Sequence, residues 1–111
     1  MASLYSLESY KKRQPRITFS RSELRQLFDI YSRRVATGEW RDYAIDHAPD
    51  HVAFSIFRHT AESPVLIVEK SKPGRGNRGY RLVRSRRALA DAKTIGEIVS
   101  VIERQPRLVK S

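Results

Sequence analysis

The segment VLIVEKSKPGRGNRGYRLVRS, residues 65–85, decides the fold that the sequence predicts. Its opening run VLIVEK reads as a continuous apolar strand, and its closing run GYRLVRS alternates apolar and polar residues as a strand does. The linking GRGNRG, residues 74–79, matches the nucleotide-binding pattern G-x-G-x-x-G. In a dinucleotide-binding fold this pattern joins a strand to a helix, whereas in this chain a strand follows it. We therefore predict a strand–loop–strand hairpin and no cofactor.

Two further strands are indicated on the N-terminal side of this hairpin. EWRDYAIDH (39–47) and HVAFSIFRH (51–59) flank a tight connection at residues 48–50. Both faces of the second run are partly apolar, which is typical of a central strand. After the hairpin, ALAD (88–91) is a possible edge strand. Together these segments predict an antiparallel β-meander of about four strands.

Helices are predicted on both sides of the meander. Ser20-x-x-Glu23 is a capping box, and Thr94-x-x-Glu97 is a second one. Apolar residues follow each box at helical spacing: Leu24, Leu27, Phe28, Tyr31 and Val35 after the first, and Ile95, Ile98, Val99 and Ile102 after the second. The first helix covers about residues 21–36, and Pro106 stops the second. We therefore predict one α+β domain, residues 16–111, preceded by a mobile basic arm at residues 1–15.

Composition narrows the possible functions. The 111 residues include no cysteine, which excludes disulfides, zinc-thiolate sites and thiol catalysis. No apolar run is long enough to span a membrane, and the N-terminus lacks the apolar core of a secretory signal. We therefore expect a cytoplasmic protein without membrane contact. No Ser-His-Asp arrangement or paired acid and base stands out, so we expect binding and not catalysis.

Positive charge points to a class of partner. The net charge of +10 is concentrated in residues 70–87, which contain eight lysines and arginines and no acidic residue. Clustered cations of this kind bind nucleic-acid phosphates by displacing counterions. We therefore predict a non-enzymatic nucleic-acid-binding or nucleoprotein-associated domain, with DNA or RNA as partner. The predicted contacts are Lys70, Lys72, Arg75, Arg78, Tyr80, Arg81, Arg84, Arg86 and Arg87, joined by Lys11, Lys12 and Arg13 of the arm. The alternative is a protein-interaction module that docks on an acidic partner protein.

A different chemistry is suggested by DHAPDH, residues 46–51. Its two carboxylates and two imidazoles, from Asp46, His47, Asp50 and His51, would suit a metal-dependent hydrolase. Asp and Pro are also ordinary turn residues, and a tight turn splays its flanking side chains apart. We therefore predict a turn at this position and no metal ligands.

Several stretches of the chain have a distinctive amino-acid sequence. They are GEWRDYAID (38–46), AFSIFR (53–58) with the following Glu62, and an apolar helix closed by Arg107, Leu108 and Val109. Together they resemble an uncharacterised family of small alphaproteobacterial proteins, a domain of unknown function. The resemblance covers about residues 16–110 and implies a compact cytoplasmic bacterial domain. It brings no known activity or catalytic residue to this chain.

Overall fold

The computed structural model of the protein describes residues 16–59 and 63–105, which form an α+β fold. In chain order the elements are α1 (Arg21–Ala36), β1 (Asp42–His47), β2 (His51–Phe57), β3 (Leu66–Ser71), β4 (Tyr80–Arg84), β5 (Arg87–Ala92) and α2 (Ile95–Arg104). Each strand pairs antiparallel with the next, so the sheet order is β1-β2-β3-β4-β5. The predicted meander and its flanking helices are confirmed. Within the described residues the sheet has five strands, because the ALAD segment forms a full edge strand on β4.

The core lies between one face of the sheet and the helices. Phe54, Val68 and Leu82 are in register across the three central strands, and all three have 0% exposure. α1 covers this row with Phe28 and Tyr31, whose rings meet the Phe54 ring edge-on at 5.5 and 6.3 Å between centroids. Burial of this apolar row removes it from water and holds α1 against the sheet.

α1 begins at the predicted capping box and buries most of the predicted apolar side, since Leu27 lies in the core and Leu24, Phe28 and Tyr31 pack against it. The Ser20 hydroxyl accepts from the Glu23 backbone N–H at 3.1 Å, and the Glu23 carboxylate accepts from the Ser20 backbone N–H at 2.8 Å. Val35 is 39% exposed, whereas Ile30 and Arg34 are buried. The reason is α2, whose backbone accepts a hydrogen bond from Arg34 and which therefore covers that side of the helix. The prediction that Val35 lies on the buried face is wrong.

α2 keeps half of its predicted capping box. The Thr94 hydroxyl accepts from the Glu97 backbone N–H at 3.2 Å, but the Glu97 carboxylate accepts from the backbone N–H of Lys93, at 3.0 Å. The buried side of the helix consists of Ile95, Ile98 and Ile102. The helix ends at Arg104, and the predicted stop at Pro106 lies outside the described residues.

The sheet has two ends with different connections. At the glycine-loop end lie the turn at 48–50, the loop at 72–79 and the N-termini of both helices. At the hairpin end lie the two-residue turn at 85–86 and the C-termini of both helices. Both helices pack on the same face of the sheet. Neither of these described helices is long and apolar enough to cross a membrane.

Candidate nucleic-acid interface

The basic segment 70–87 does not form one surface. β4 runs through it, and the ends of this five-residue strand are about 13 Å apart at the usual rise of a strand. Lys70, Lys72, Arg75 and Arg78 lie at the glycine-loop end, whereas Arg84, Arg86 and Arg87 lie at the hairpin end. Three more predicted contacts, Lys11, Lys12 and Arg13, lie with the whole predicted arm of residues 1–15 outside the described residues.

Asn77 organises the glycine loop. Its Nδ2 donates to Ser71 Oγ at 2.8 Å, and its Oδ1 accepts from the Gly79 backbone N–H at 2.8 Å. Gly76 and Gly79 have φ values of 72° and 118°, which glycine adopts without the clash of a Cβ. The loop therefore turns the chain from strand to strand, as predicted. The side chains exposed around it are those of Lys72, Arg75 and Arg78.

Two predicted phosphate contacts are held by Glu23 of α1. Lys70 Nζ lies 2.8 Å from Glu23 Oε1 and donates a second hydrogen bond to the Thr18 carbonyl, also at 2.8 Å. The Tyr80 hydroxyl donates to the other carboxylate oxygen of Glu23. The side chains of Lys70 and Glu23 are only 23% and 14% exposed. This Glu23 cluster, formed by Glu23, Lys70 and Tyr80, fastens the start of α1 to the sheet.

Protonation in the Glu23 cluster follows from these contacts. Burial alone would raise the pKa of Glu23, but hydrogen bonds from Lys70, Tyr80 and the Ser20 backbone outweigh it and lower this pKa from its usual 4.5. Burial, and then the hydrogen bond to the Glu23 carboxylate, raise the pKa of Tyr80 to about 12. At neutral pH the carboxylate is therefore ionised and the phenol is neutral, so the charge of Lys70 is already matched.

Arg81 lies on the sheet face opposite the helices, between two acidic residues. It is directly paired with Glu69 on β3 and with Asp91 on β5. Asp91 also accepts a hydrogen bond from the Arg78 backbone N–H at 3.2 Å. Neither carboxylate forms a described ion pair with Arg81, whose Nη2 donates to the Gly76 carbonyl at 3.4 Å, but opposite charges at neighbouring positions attract each other across a sheet and lower the positive potential there.

The arginine tip, which we define as Arg84, Arg86 and Arg87, lies at the hairpin end. Arg84 and Arg87 are directly paired across β4 and β5, where like charges repel. Between them Ser85 and Arg86 have φ values of 52° and 66°, as in a type I′ turn, which asparagine and glycine usually form. Arg84 Nη1 donates to Gln105 Oε1 at 3.3 Å. Within residues 16–59 and 63–105, no carboxylate pairs with the tip.

Arg34, at the hairpin end, is buried, and the sequence pattern does not predict this burial. Arg34 is 8% exposed, its Nη1 lies 2.9 Å from Glu39 Oε1, and its Cζ lies 5.5 Å from the centre of the Trp40 ring. The neighbouring Arg33 pairs with Glu103 at the surface instead, at 3.0 Å. No local pattern distinguishes two consecutive arginines. Their different environments come from the position of α2.

A family match covers most of this fold. Residues 17–89 match the family described as Protein of unknown function (DUF2794). The chain belongs to this family. The matched range begins ahead of α1 and ends inside β5, so it includes the Glu23 cluster and the arginine tip and leaves α2 outside. No curated protein and no solved structure matches the chain.

In this DUF2794 protein the histidines and aspartates of residues 46–51 do not form one cluster. Asp46 and His47 are consecutive on β1, so their side chains leave opposite faces of the sheet. Asp50 Oδ1 lies 2.9 Å from His51 Nδ1, and that hydrogen bond lowers the pKa of Asp50. In the part of the chain that the structure describes, no three His, Asp or Glu side chains converge as metal ligands would.

Proposed function

We propose that the protein binds nucleic acid, directly or within a nucleoprotein, without catalysing a reaction, and that the arginine tip contacts the phosphates. The tip gathers three guanidinium groups that no described carboxylate neutralises. Two of them are paired like charges, and the third occupies a left-handed backbone conformation that costs roughly 1 kcal/mol. These features oppose folding, and a bound phosphate would relieve the repulsion. This unneutralised tip is the observation that carries the proposal.

Guanidinium chemistry supports phosphate as the ligand of the tip. The planar fork of arginine donates two parallel hydrogen bonds to a phosphate and stays charged at any physiological pH. Arg104, which is exposed in the last turn of α2, adds a fourth arginine beside Gln105. The tip and Arg104 together favour an anion with several phosphates over a single carboxylate.

The separation of the two ends of the sheet favours a polymer. Lys72, Arg75 and Arg78 are exposed at the glycine-loop end, about 13 Å along β4 from the arginine tip. A mononucleotide is too short to contact both groups. A nucleic-acid strand, with a phosphate every ~3.4 Å along the duplex axis, reaches both. Contacts made to phosphates position a nucleic acid without reading its sequence, so we expect weak sequence preference.

Fluorescence anisotropy tests this proposal with labelled duplex DNA, single-stranded DNA and RNA of equal length, each at two salt concentrations. We expect binding that weakens steeply with salt. Replacing Arg84, Arg86 and Arg87 with alanine should reduce the slope of log K against log salt by about 0.9 for each lost contact on duplex DNA. The melting temperature of the variant should stay close to that of the wild type, because Arg86 and Arg87 are exposed and half-buried Arg84 loses only one long hydrogen bond, to Gln105.

The matched control for the tip variant replaces Lys72, Arg75 and Arg78 with alanine. It removes the same charge from the other end of the sheet, and we expect a smaller loss of affinity because Glu69 and Asp91 lie on the strands beside that end, where Asp91 accepts from the Arg78 backbone N–H. A loss confined to this control would move the interface to the glycine loop. Absence of binding to all three nucleic acids at low salt would refute the proposal.

An acidic partner protein is the alternative ligand of the arginine tip. Copurification from nuclease-treated and untreated lysate separates the two candidates. A protein that stays bound after nuclease treatment, and is lost with the tip variant, would take the place of nucleic acid.

The alphaproteobacterial and cytoplasmic setting that the family resemblance implies is part of this proposal as well.

A further inference from the structure

A cleft lies at the glycine-loop end, separate from the arginine tip. It is formed by the chain that leads into α1 (16–18), the β1–β2 turn (49–50) and the end of β3 (70–73). Its volume is about 600 Å³, which falls within the range of roughly 300–1,000 Å³ that is usual for small-molecule sites. The cleft is therefore large enough for a small organic ligand.

Two cations border this cleft without a carboxylate partner among the described residues. Arg16 and Lys72 are exposed, and neither takes part in a described ion pair. Lys70, the third cation of the lining, is paired with Glu23. Asp50 also lies on the rim, but its side chain is 88% exposed and hydrogen-bonded to the adjacent histidine. The charge that remains for a ligand is positive.

The walls of the cleft are apolar and fixed in place. Ile17 is half-buried and packs against the core, and Pro49 and Pro73 have a backbone angle that the proline ring locks. The hydrogen bond of 2.8 Å from Lys70 Nζ to the Thr18 carbonyl ties the segment 16–18 to the sheet. A ligand therefore meets a preformed surface and orders little of the protein on binding.

We propose that this cleft binds a small amphipathic carboxylate. The carboxylate group of this ligand lies at Arg16 and Lys72, and its apolar chain covers the walls formed by Ile17 and the two prolines. A nucleotide matches the lining less well, because no aromatic side chain among the described lining residues is available to stack on a base. Inorganic phosphate would leave the apolar walls in water. The nucleic-acid proposal shares Lys72 with this one, but the arginine tip that carries it lies at the opposite end of the sheet.

Titration of the ¹⁵N-labelled protein with octanoate, followed through backbone amide shifts, tests the inference. We expect saturable shifts confined to the cleft, with Thr18, Asp50 and Lys72 as reporters. Octanol, which lacks the charge, and inorganic phosphate, which lacks the chain, should each bind at least about tenfold more weakly. Equal affinity for octanoate and either probe would overturn the proposal. Shifts that do not saturate, or that lie elsewhere, would overturn it too.

A pair of lysine variants tests the charge in the cleft. Lys72→Ala removes a lining cation, and we expect about tenfold weaker octanoate binding. Lys93→Ala is the control, since Lys93 is exposed at the same end but outside the cleft, and octanoate binding should be unchanged. Equal effects of the two variants would contradict the proposal. The alanine variant of the arginine tip should keep full octanoate affinity, so the two proposals fail separately.

Discussion

Lys70 and Arg84 belong to the same basic segment, yet the fold treats them differently. Lys70 meets the carboxylate of Glu23, 47 residues away in sequence, whereas Arg84 meets the amide oxygen of Gln105, 21 residues away. A count of charges along the chain gives both cations equal weight. The difference arises because α1 presents an acid to the start of β4, while α2 presents an amide to its end. The cations available to a ligand are those that the fold has not neutralised.

The largest effect is expected at Arg34, the cation that the fold does neutralise at the hairpin end. Arg34→Ala removes the guanidinium that contacts Glu39, the Trp40 ring and the α2 backbone. Breaking a buried ion pair typically costs 3–5 kcal/mol, so we expect the free energy of unfolding to fall by about 3 kcal/mol in urea denaturation. Arg33→Ala is the control and should change stability little, because Arg33 is 53% exposed. Equal losses would show that burial does not distinguish the two arginines.

Glu23→Ala tests the glycine-loop end. The variant removes the acceptor of Lys70 and Tyr80 and half of the α1 capping box. We expect a loss of about 2 kcal/mol in urea denaturation, below the range for fully buried pairs because this cluster is partly exposed. Glu97→Ala is the matched control at the equivalent position of α2, where the carboxylate accepts from a backbone N–H alone.

The loss in the Glu97 variant should be clearly the smaller of the two. If both variants lose the same stability, helix capping accounts for the whole effect of Glu23. Lys70 and Tyr80 would then return to the set of side chains available to phosphate. That outcome would erase the difference between the two ends of the sheet.

Acid titration isolates the charge of Glu23. Its pKa is lowered in the fold, so the unfolded chain binds this proton first as the pH falls. The stability that Glu23 contributes is therefore fully present above its usual pKa of 4.5 and is lost as the pH falls through the lower folded value. Glu23→Gln lacks this titration, so its stability deficit should shrink as the pH falls below 4.5. Urea midpoints of both proteins across this range check the expectation, and a constant deficit would contradict it.

Local signals in the sequence predict the elements of this fold well. The capping box and helical period give α1 at residues 21–36, as observed, because both signals depend on neighbours within a few residues. The edge strand is only weakly indicated, since ALAD has small side chains and little contrast between its faces. The predicted buried side of α1 is wrong only in its last turn. The helical period places Val35 on the buried side, and only contact with α2 shows that Arg34 belongs there.

The candidate site could be predicted only in part for the same reason. Charge density marks residues 70–87 correctly as the most basic segment, because that is a property of composition. The sequence does not show that β4 divides the segment between two ends of a sheet. Nor does it show that Lys70 and Tyr80 share a carboxylate 47 and 57 residues away. The pairing of cations with acids is a tertiary property, and it decides which cations stay exposed.

The smallest expected effect is at the arginine tip and has the opposite sign. Arg86 has a φ of 66°, where a side chain with a Cβ is strained and glycine is not. Arg86→Gly should therefore raise the free energy of unfolding by up to about 1 kcal/mol, less the entropy that glycine adds to the unfolded chain. Thermal denaturation measures this change. The substitution also removes the repulsion of Arg86 by Arg84 and Arg87, which raises the free energy of unfolding further.

Arg75→Gly in the glycine loop is the control for this prediction. The backbone of Arg75 is not left-handed, so glycine there adds unfolded-state entropy without relieving strain, and stability should fall slightly. If Arg86→Gly lowers stability in the same way, Arg86 stabilises the fold and is no more available to phosphate than Lys70. If Arg86→Gly is more stable and binds nucleic acid less well, Arg86 contributes to binding and not to the stability of the fold. The chain would then retain a strained arginine at the tip because its ligand requires the charge.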